Sequence, residues 1–351
     1  GIGCAGASVF GGIERSQHLA VTGGSMRAEI LKILKESHGF VSGQELSHSL
    51  GVSRTAVWKA INQLKEEGWQ IESVKSHGYR LAGEADVMTA SELATVLDTQ
   101  WLGTQIAYFD ETDSTNIQAR KLAEKGAPHG TLVVADCQSA GKGRRGRSWD
   151  SPRGTGIWMS ILLRPGFSPA CASMLTLVAG MAAVRGIERA CGLTPQIKWP
   201  NDLVLDGKKI CGILTEMSTE EEEIRYVVIG MGINVNNEAF PPELGDTAAS
   251  LRQKLGHGMR RSPIIGETAR AFEAYYEAFS RTRDMSGLRE EYDGMLVNRG
   301  RQVRVLDPRG PYTGKALGID QGGGLLVERE DGQVSPVISG EVSVRGIYGY
   351  V

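Results

Sequence analysis

Apolar positions between 26 and 82 recur first at helical and then at strand spacing. Over 26–37, Ile30, Leu31, Ile33 and Leu34 fall on one helical face, and Gly39 ends the pattern. Ser42-Gly-Gln-Glu45 has the spacing of a reciprocal capping box. It opens a short helix with Leu46 and Leu50 inside and Gly51 at its close. Ser53 caps a third segment, where Val57, Ile61 and Leu64 recur at i, i+4 and i+7 and Gly68 marks the stop. Two extended stretches, 69–74 and 79–81, flank a Ser76-His-Gly78 turn. Three helices with a short turn between the last two, then a hairpin, predict a winged helix-turn-helix over 26–84.

Residues 84–88 read as a linker. From 89 to 296 the pattern alternates. Helical spacing covers 90–97, 115–125, 172–191 and 264–281. Strand-like runs cover 104–110, 131–136, 157–163, 196–198, 209–217 and 226–233. This predicts a mixed α/β domain of catalytic size. From 297 to 351 short strands at 303–306, 312–319, 325–330 and 334–344 alternate with Asp307-Pro-Arg-Gly310, Gly322-Gly-Gly324 and Asp331-Gly332. They predict a small β-barrel of SH3-like size. The chain as a whole reads as α+β and multidomain. The acidic run Glu220–Glu223 fits a solvated turn between two strands. Residues 1–25, rich in Gly, Ala and Ser, have no apolar periodicity and lack the basic start and unbroken apolar core of a signal peptide. They are expected to be an extraneous, poorly ordered leader, with Met26 as the biological start.

Composition narrows the functional classes. The 351 residues exceed one typical small domain, and the net charge of −2 excludes a polycation. Nucleic-acid binding therefore needs a local surface. The helix-turn-helix between Gly43 and Asn62 offers one: its third helix, from Ser53 onward, exposes Arg54, Thr55, Lys59, Asn62 and Gln63, with Lys75 and Arg80 on the hairpin. Lys and Arg neutralise phosphates, while Asn and Gln read base edges. A protein-interaction domain with a solvated charged face fits the same pattern, and the pattern alone leaves both open. Cys4, Cys137, Cys171, Cys191 and Cys211 are odd in number and form no C-x-x-C pair. They read as reduced thiols of a cytoplasmic protein, with no disulfide framework and no metal motif. No apolar run is expected to reach the roughly 20 residues of a membrane span.

The chemistry lies in the central region. Gly141-Lys-Gly-Arg-Arg-Gly-Arg147 puts four cations among glycines just after a predicted strand. Glycines let a backbone approach an anion, and the cations supply charge-assisted donors to phosphate. It lacks the residue order of a P-loop. A nucleic-acid patch, a localisation signal or a plain basic turn would look the same in isolation. Asp113-Ser-Thr-Asn116 opens a helix after a strand, offering hydroxyl and amide groups to a carbonyl, ureido or carboxylate group. Plain N-capping competes with that reading. Lys198-Trp-Pro-Asn-Asp202 sets one lysine at a strand end against a proline turn. Gly207-Lys-Lys-Ile-Cys-Gly-Ile-Leu214 reads as a hairpin turn into a buried strand, and Gly230-Met-Gly-Ile-Asn-Val-Asn236 as a glycine-rich strand end.

In this order, these segments resemble the bacterial biotin–protein ligases. With the preceding winged helix, they resemble the bifunctional form that is also the biotin operon repressor. The resemblance runs from about Met26 to the C-terminus. It implies a central domain of class II synthetase-like type. It also implies a two-step reaction: biotin and ATP, with Mg²⁺, give biotinyl-5′-AMP, and the biotin then passes to a lysine of the carrier domain of acetyl-CoA carboxylase. Ser114, Thr115, Asn116 and Gln138 would hold the biotin head. Lys142, Gly143, Arg144 and Arg147 would form a loop over biotin and the adenylate, with Trp149 packed on it. Lys198 and Arg144 would stabilise charge at the reacting centre. Asn234 and the segment to 251 would border the adenylate. Where some relatives carry arginine, Lys142 keeps the charge but loses bidentate geometry. The resemblance further implies operator DNA as a partner, a homodimer formed on binding biotinyl-AMP, and no membrane. A lipoate–protein ligase, or a ligand-sensing transcription regulator without ligase activity, are the competing readings.

Overall fold

The computed structural model describes residues 18–21, 25–307, 310–338, 343–346 and 350–351. An edge strand, β1 (His18–Val21), precedes the head. The head is α1 (Met26–Glu36), α2 (Gly43–Leu50), α3 (Arg54–Glu66) and a hairpin of β2 (Ile71–Val74) and β3 (Gly78–Leu81). Ser42 and Ser53 cap α2 and α3 by accepting from the Glu45 and Ala56 amides at 3.0 and 3.2 Å. Only the serine half of the expected capping box forms. Gly51 ends α2 in the left-handed conformation, φ 64°. Leu31, Leu46, Val57, Ile61, Leu64 and Trp69 close one core. Val41 pairs with Tyr79, and a Cβ on Gly78 would lie 2.1 Å from the Val41 carbonyl, so the wing root needs glycine.

The central domain contains α4 (Ala90–Val96), β4 (Gln105–Phe109), α5 (Thr115–Glu124), β5 (Thr131–Ala135) and β6 (Gly156–Leu163). After these come α6 (Pro169–Ala172), α7 (Leu175–Cys191), β7 (Gln196–Lys198), β8 (Asp202–Leu205), β9 (Lys208–Glu220) and β10 (Glu223–Asn234). Three helices, α8 (Leu251–Leu255), α9 (Ser262–Thr282) and α10 (Arg289–Met295), complete it. The eight strands form one sheet, ordered β1-β4-β5-β6-β10-β9-β8-β7. Only the β4–β5 pair is parallel. Both long hairpins turn on two residues with positive φ, Asp206-Gly207 and Glu221-Glu222, whose backbone twist matches that of the strands. The acidic run is thus a solvated turn, as its charge implied. Alanines of α5 cover one sheet face, and α7 packed on α9 covers the other.

Three expectations are corrected. Residues 18–21 are a strand paired with β4, so the leader is ordered there, because β4 offers a free backbone edge. Residues 1–17 and 22–24 of that leader lie outside the described residues. Pro169–Cys191 is long and apolar enough to cross a membrane, but its most apolar stretch is 72% buried as a core helix. The third concerns 334–344. It splits into β14 (Val334–Val337) and β15 (Ser343–Gly346) at opposite edges of the C-terminal sheet, ordered β14-β13-β12-β11-β15, where one straight strand cannot reach. Here β11 is Gln302–Leu306, β12 Tyr312–Ile319 and β13 Leu325–Glu328. The core of this sheet, including Val303, Ile319 and Val327, is continuous with that of the central domain.

Carboxylates fasten the head. Glu92 of α4, with no exposed side-chain surface, receives Lys35 of α1, Arg260 at 3.0 Å and Ser262 at 2.7 Å. Burial pulls the Lys35 ammonium below its usual pKa although Glu92 opposes the shift. Glu67 at the end of α3 takes Arg27 at 2.7 Å and the Thr89 hydroxyl at 2.8 Å. The linker is pinned as well: Arg261, 3% exposed, holds Asp86 at 2.8 Å, Asp136 at 2.7 Å and the Gly156 carbonyl at 3.0 Å. Replacing Glu92 by Ala leaves Lys35 and Arg260 without their shared carboxylate and should cost about 2–3 kcal/mol. Urea unfolding checks this, and an unchanged midpoint would mean that solvent already screens the cluster.

Candidate active site

Two adjoining cavities open on the side of the sheet where β9 and β10 meet the basic loop. The smaller is a slot lined by Ser114, Thr115, Asn116, Gln138, Lys142, Gly143, Arg144 and Trp149 over a floor of Gly212, Gly230 and Gly232. The larger, about 300 Å³, is lined by Arg144, Arg147, Trp149, Lys198, Asn234 and residues of 237–248. Gly143, Arg144, Trp149, Asn201 and Lys209 line both. Every residue put forward for ligand binding thus falls on one connected surface, although they span more than a hundred positions of sequence.

The polar end of the slot is locked by mutual hydrogen bonds. The Thr115 amide donates to Gln138 Oε1 at 2.8 Å, and Gln138 Nε2 donates to Ser151 at 2.8 Å. Ser160 Oγ lies 2.8 Å from Thr115 Oγ1 and 2.6 Å from Asn116 Oδ1. Asn116 Nδ2 donates to Glu216 at 2.8 Å. Ser114 is the N-cap of α5, yet its side chain makes no capping hydrogen bond. Plain N-capping therefore does not account for it. Burial raises the Asp113 carboxyl, but donors from the Ser114 amide, Gln118 and Lys121 outweigh that and hold it below its usual pKa.

The floor is bare because it must be. A Cβ on Gly230 would come within 2.3 Å of Asn116 Oδ1. On Gly232 it would meet Trp149 Nε1 at 2.7 Å, and on Gly212 it would meet Trp149 Cζ3 at 2.8 Å. The Trp149 indole thus lies flat on two glycines, with Lys209 Nζ 5.1 Å from its ring and its own buried N–H without an acceptor. This is a fuller role than packing on the loop.

The basic loop is folded over this floor. The Gly143 amide donates to the Arg147 carbonyl at 2.7 Å, and the Trp149 amide to Gly141 at 2.9 Å. Arg144–Gly146 makes one tight helical turn, with Arg145 and Gly146 at φ 57° and 71°. Arg144 Nη1 reaches Asn201 Oδ1 at 2.7 Å, joining the loop to the turn after Lys198. Burial lowers the Arg144 pKa, and Asp202 opposes that shift. Lys198 itself is 6% exposed. Its strand end is anchored from the C-terminal region, where Asn298 accepts the Trp199 amide at 2.9 Å and Gly323 accepts the Trp199 indole at 3.0 Å. Asn234 donates to the Ala249 carbonyl at 3.2 Å. The Cys137, Cys191 and Cys211 thiols are raised by burial, Cys211 to about 12, which keeps them protonated and poor nucleophiles. Among the described residues no three His, Cys, Asp or Glu side chains cluster as a metal site.

Sequence reasoning missed Asn201, Asp202 and Lys209 as wall residues. Each sits in a segment whose motif was visible, but their convergence depends on the β7–β8–β9 register. On the head, Arg54, Thr55 and Lys59 are exposed and Asn62 is half-buried. Trp58, 55% exposed, lies between Arg54 and Asn62 on the same face and was also missed. Its position off the Val57, Ile61 and Leu64 stripe was the available signal.

A biotin/lipoate A/B protein ligase family model matches residues 108–234, a helix-turn-helix domain model 27–80, and a biotin protein ligase C-terminal domain model 300–345. The bifunctional ligase/repressor BirA of Bacillus subtilis is 41% identical over 91% of this chain and 99% of its own. The chain belongs to the bifunctional ligase/repressor family. Another member of that family, BirA of Escherichia coli, is 31% identical over 87% of this chain and 93% of its own. A solved biotin protein ligase from Aquifex aeolicus, in complex with biotin and ATP, superposes with a TM-score of 0.60 at 30% identity. It covers 69% of this chain and 98% of that one, so the family's ligase fold is shared beyond the head.

Gly230→Ala should cost about 1–3 kcal/mol by overpacking, because Asn116 can move only by leaving Ser160 and Glu216. Chemical denaturation checks it. The double variant Gly230→Ala with Asn116→Ala should recover most of the loss, and strict additivity would refute the clash.

Proposed function

We propose that the two cavities hold biotin and the nucleotide end to end, and that the chain joins them before passing biotin to a lysine. Biotin–protein ligation beside a DNA-binding helix-turn-helix is the activity of the family. The observation that carries the residue assignment is the wall shared by slot and cleft, formed by Gly143, Arg144, Trp149, Asn201 and Lys209. A carboxylate at the end of the slot would face a phosphate at the start of the cleft.

In the first step, a biotin carboxylate oxygen attacks the α-phosphorus of ATP, and pyrophosphate leaves. Charge accumulates on non-bridging oxygens, so fixed cations matter more than a nucleophilic side chain. Lys198 and Arg144 supply them. Mg²⁺ would come in with ATP and neutralise phosphate charge, which suits a site where, among the described residues, no three acidic or other metal-ligating side chains cluster. In the second step, a carrier lysine amine attacks the acyl carbon and AMP leaves. Ser114, Thr115, Asn116 and Gln138 orient the biotin head. Lys142, Gly143 and Arg147 cover the adenylate with Trp149, and Asn234 borders it.

The regions divide at 26–84, 89–296 and 297–351, with a class II synthetase-like centre and an SH3-like C-terminal barrel. Arg54, Thr55, Lys59 and Asn62 face operator DNA. Biotinyl-AMP orders the loops, favours a homodimer through the central domain and pairs two heads on a two-fold site. The carrier is that of acetyl-CoA carboxylase, and the compartment is the cytoplasm.

Mass spectrometry of a purified carrier domain after incubation with biotin, ATP and Mg²⁺ should show one added biotinyl group. Lipoate in place of biotin should give none. The Arg144→Ala variant should slow modification about tenfold or more, or shed the adenylate into solution. An unchanged rate with the adenylate retained would remove Arg144 from the site.

The repressor half is tested on operator DNA. Biotinyl-AMP should raise both dimer fraction and operator affinity. No ligand-linked change in either would sink this half of the reading while leaving the ligase intact.

A further inference from the structure

Tyr350, beyond the last strand of the C-terminal sheet, lies in the wall of the larger cavity beside Lys198 and Asn234. Its ring centroid is 3.6 Å from Lys198 Nζ. Its hydroxyl donates to Asp202 Oδ2. Asp202, directly opposite Lys198 in the β7–β8 pairing, also forms an ion pair with Lys209 Nζ at 2.6 Å. Lys209 in turn faces the ring of Trp149. One aromatic side chain therefore touches the ammonium assigned to the reacting phosphate, and the carboxylate that aligns a second lysine. The tail is seated, since Val351 backs onto Gly346 and the Asp206-Gly207 turn.

An aromatic face attracts a cation through its quadrupole without cancelling the charge. It can hold a nearly buried lysine in place and leave it able to bind an oxyanion. A carboxylate in the same position would neutralise it. We propose that Tyr350 is a positioning residue for the adenylation step: its ring aims the Lys198 ammonium into the cleft while its hydroxyl sets Asp202 and hence Lys209. The C-terminal region thereby contributes directly to the chemistry of the central domain. This inference rests on the reading that Lys198 stabilises charge at the α-phosphate.

The test uses the full chain and follows pyrophosphate release with biotin, ATP and Mg²⁺. Tyr350→Leu removes both contacts, Tyr350→Phe keeps the ring alone, and Tyr350→Trp offers a different aromatic face. Tyr350→Leu should lower kcat about tenfold or more with the biotin KM within about threefold of the parent. Tyr350→Phe and Tyr350→Trp should restore most of the rate. A merely structural residue would instead lower the melting temperature in step with activity, without rescue by the aromatic variants. Equal rates for Tyr350→Leu and Tyr350→Phe, a change in KM alone, or a faster Tyr350→Leu would each overturn the proposal, the last by identifying a plug. A Lys198→Met variant separates the two layers. If it still adenylates biotin, the assignment of Lys198 fails. If it is inactive while Tyr350→Leu matches the parent, only the role of Tyr350 fails.

Discussion

A patch of sheet without side chains governs the site. Gly212, Gly230 and Gly232 leave the crossing of β9 and β10 bare, and two bulky groups settle on it, Asn116 and the Trp149 indole. Interiors pack densely, so a bare patch in a sheet is filled from above or left as a cavity. Here it is both. The part nearest α5 stays open as the slot, and the part nearest the basic loop is roofed by tryptophan. Once the indole is down, the chain leading to it must return over the sheet, which brings Arg144 to Asn201. The packing of an apolar ring thus helps deliver the cations of the loop to the cleft, where Arg144 is held by Asn201.

Local chemistry was readable from the chain, and convergence was not. Ser42, Gly51 and Ser53 act within three or four residues of themselves, so the two capped helices and the turn between them could be placed from sequence. The long helices and the strands with continuous apolar runs were equally plain. The strand at 202–205 and the helices at 251–255 and 289–295 were not, because each is too short to complete a period. The site residues came from the resemblance to biotin–protein ligases more than from pattern. Nothing in the spacing of Ser114, Gln138 and Lys198 says that they line adjoining cavities. That depends on sheet order, in which sequence neighbours β6 and β7 stand at different places. Tyr350 carried no signal at all, since its partners lie about 150 positions away.

The C-terminal sheet has a larger part than its size suggests. Its core merges with that of the central domain, the Gly323 carbonyl in its β12–β13 turn holds the Trp199 indole, and Asn298 just before its first strand holds the Trp199 amide. Lys198 is therefore positioned from two directions, by its own strand and by a neighbour folded from the far end of the chain.

The carboxylates at the base of the head have a consequence for how such chains can be rearranged. Glu67, Asp86 and Glu92 each bind cations or hydroxyls from across a regional boundary. Excising the head would strand Glu92 among Arg260 and Ser262 and uncover the first turn of α4. Grafting a foreign head would present Glu92 with the wrong complement of charge. The winged helix is thus not a cassette that recombination can shuffle freely. A head shed or swapped here would leave the cations and carboxylates of the surface beneath to be rebalanced, so in this molecule head and catalytic body are fitted to one another.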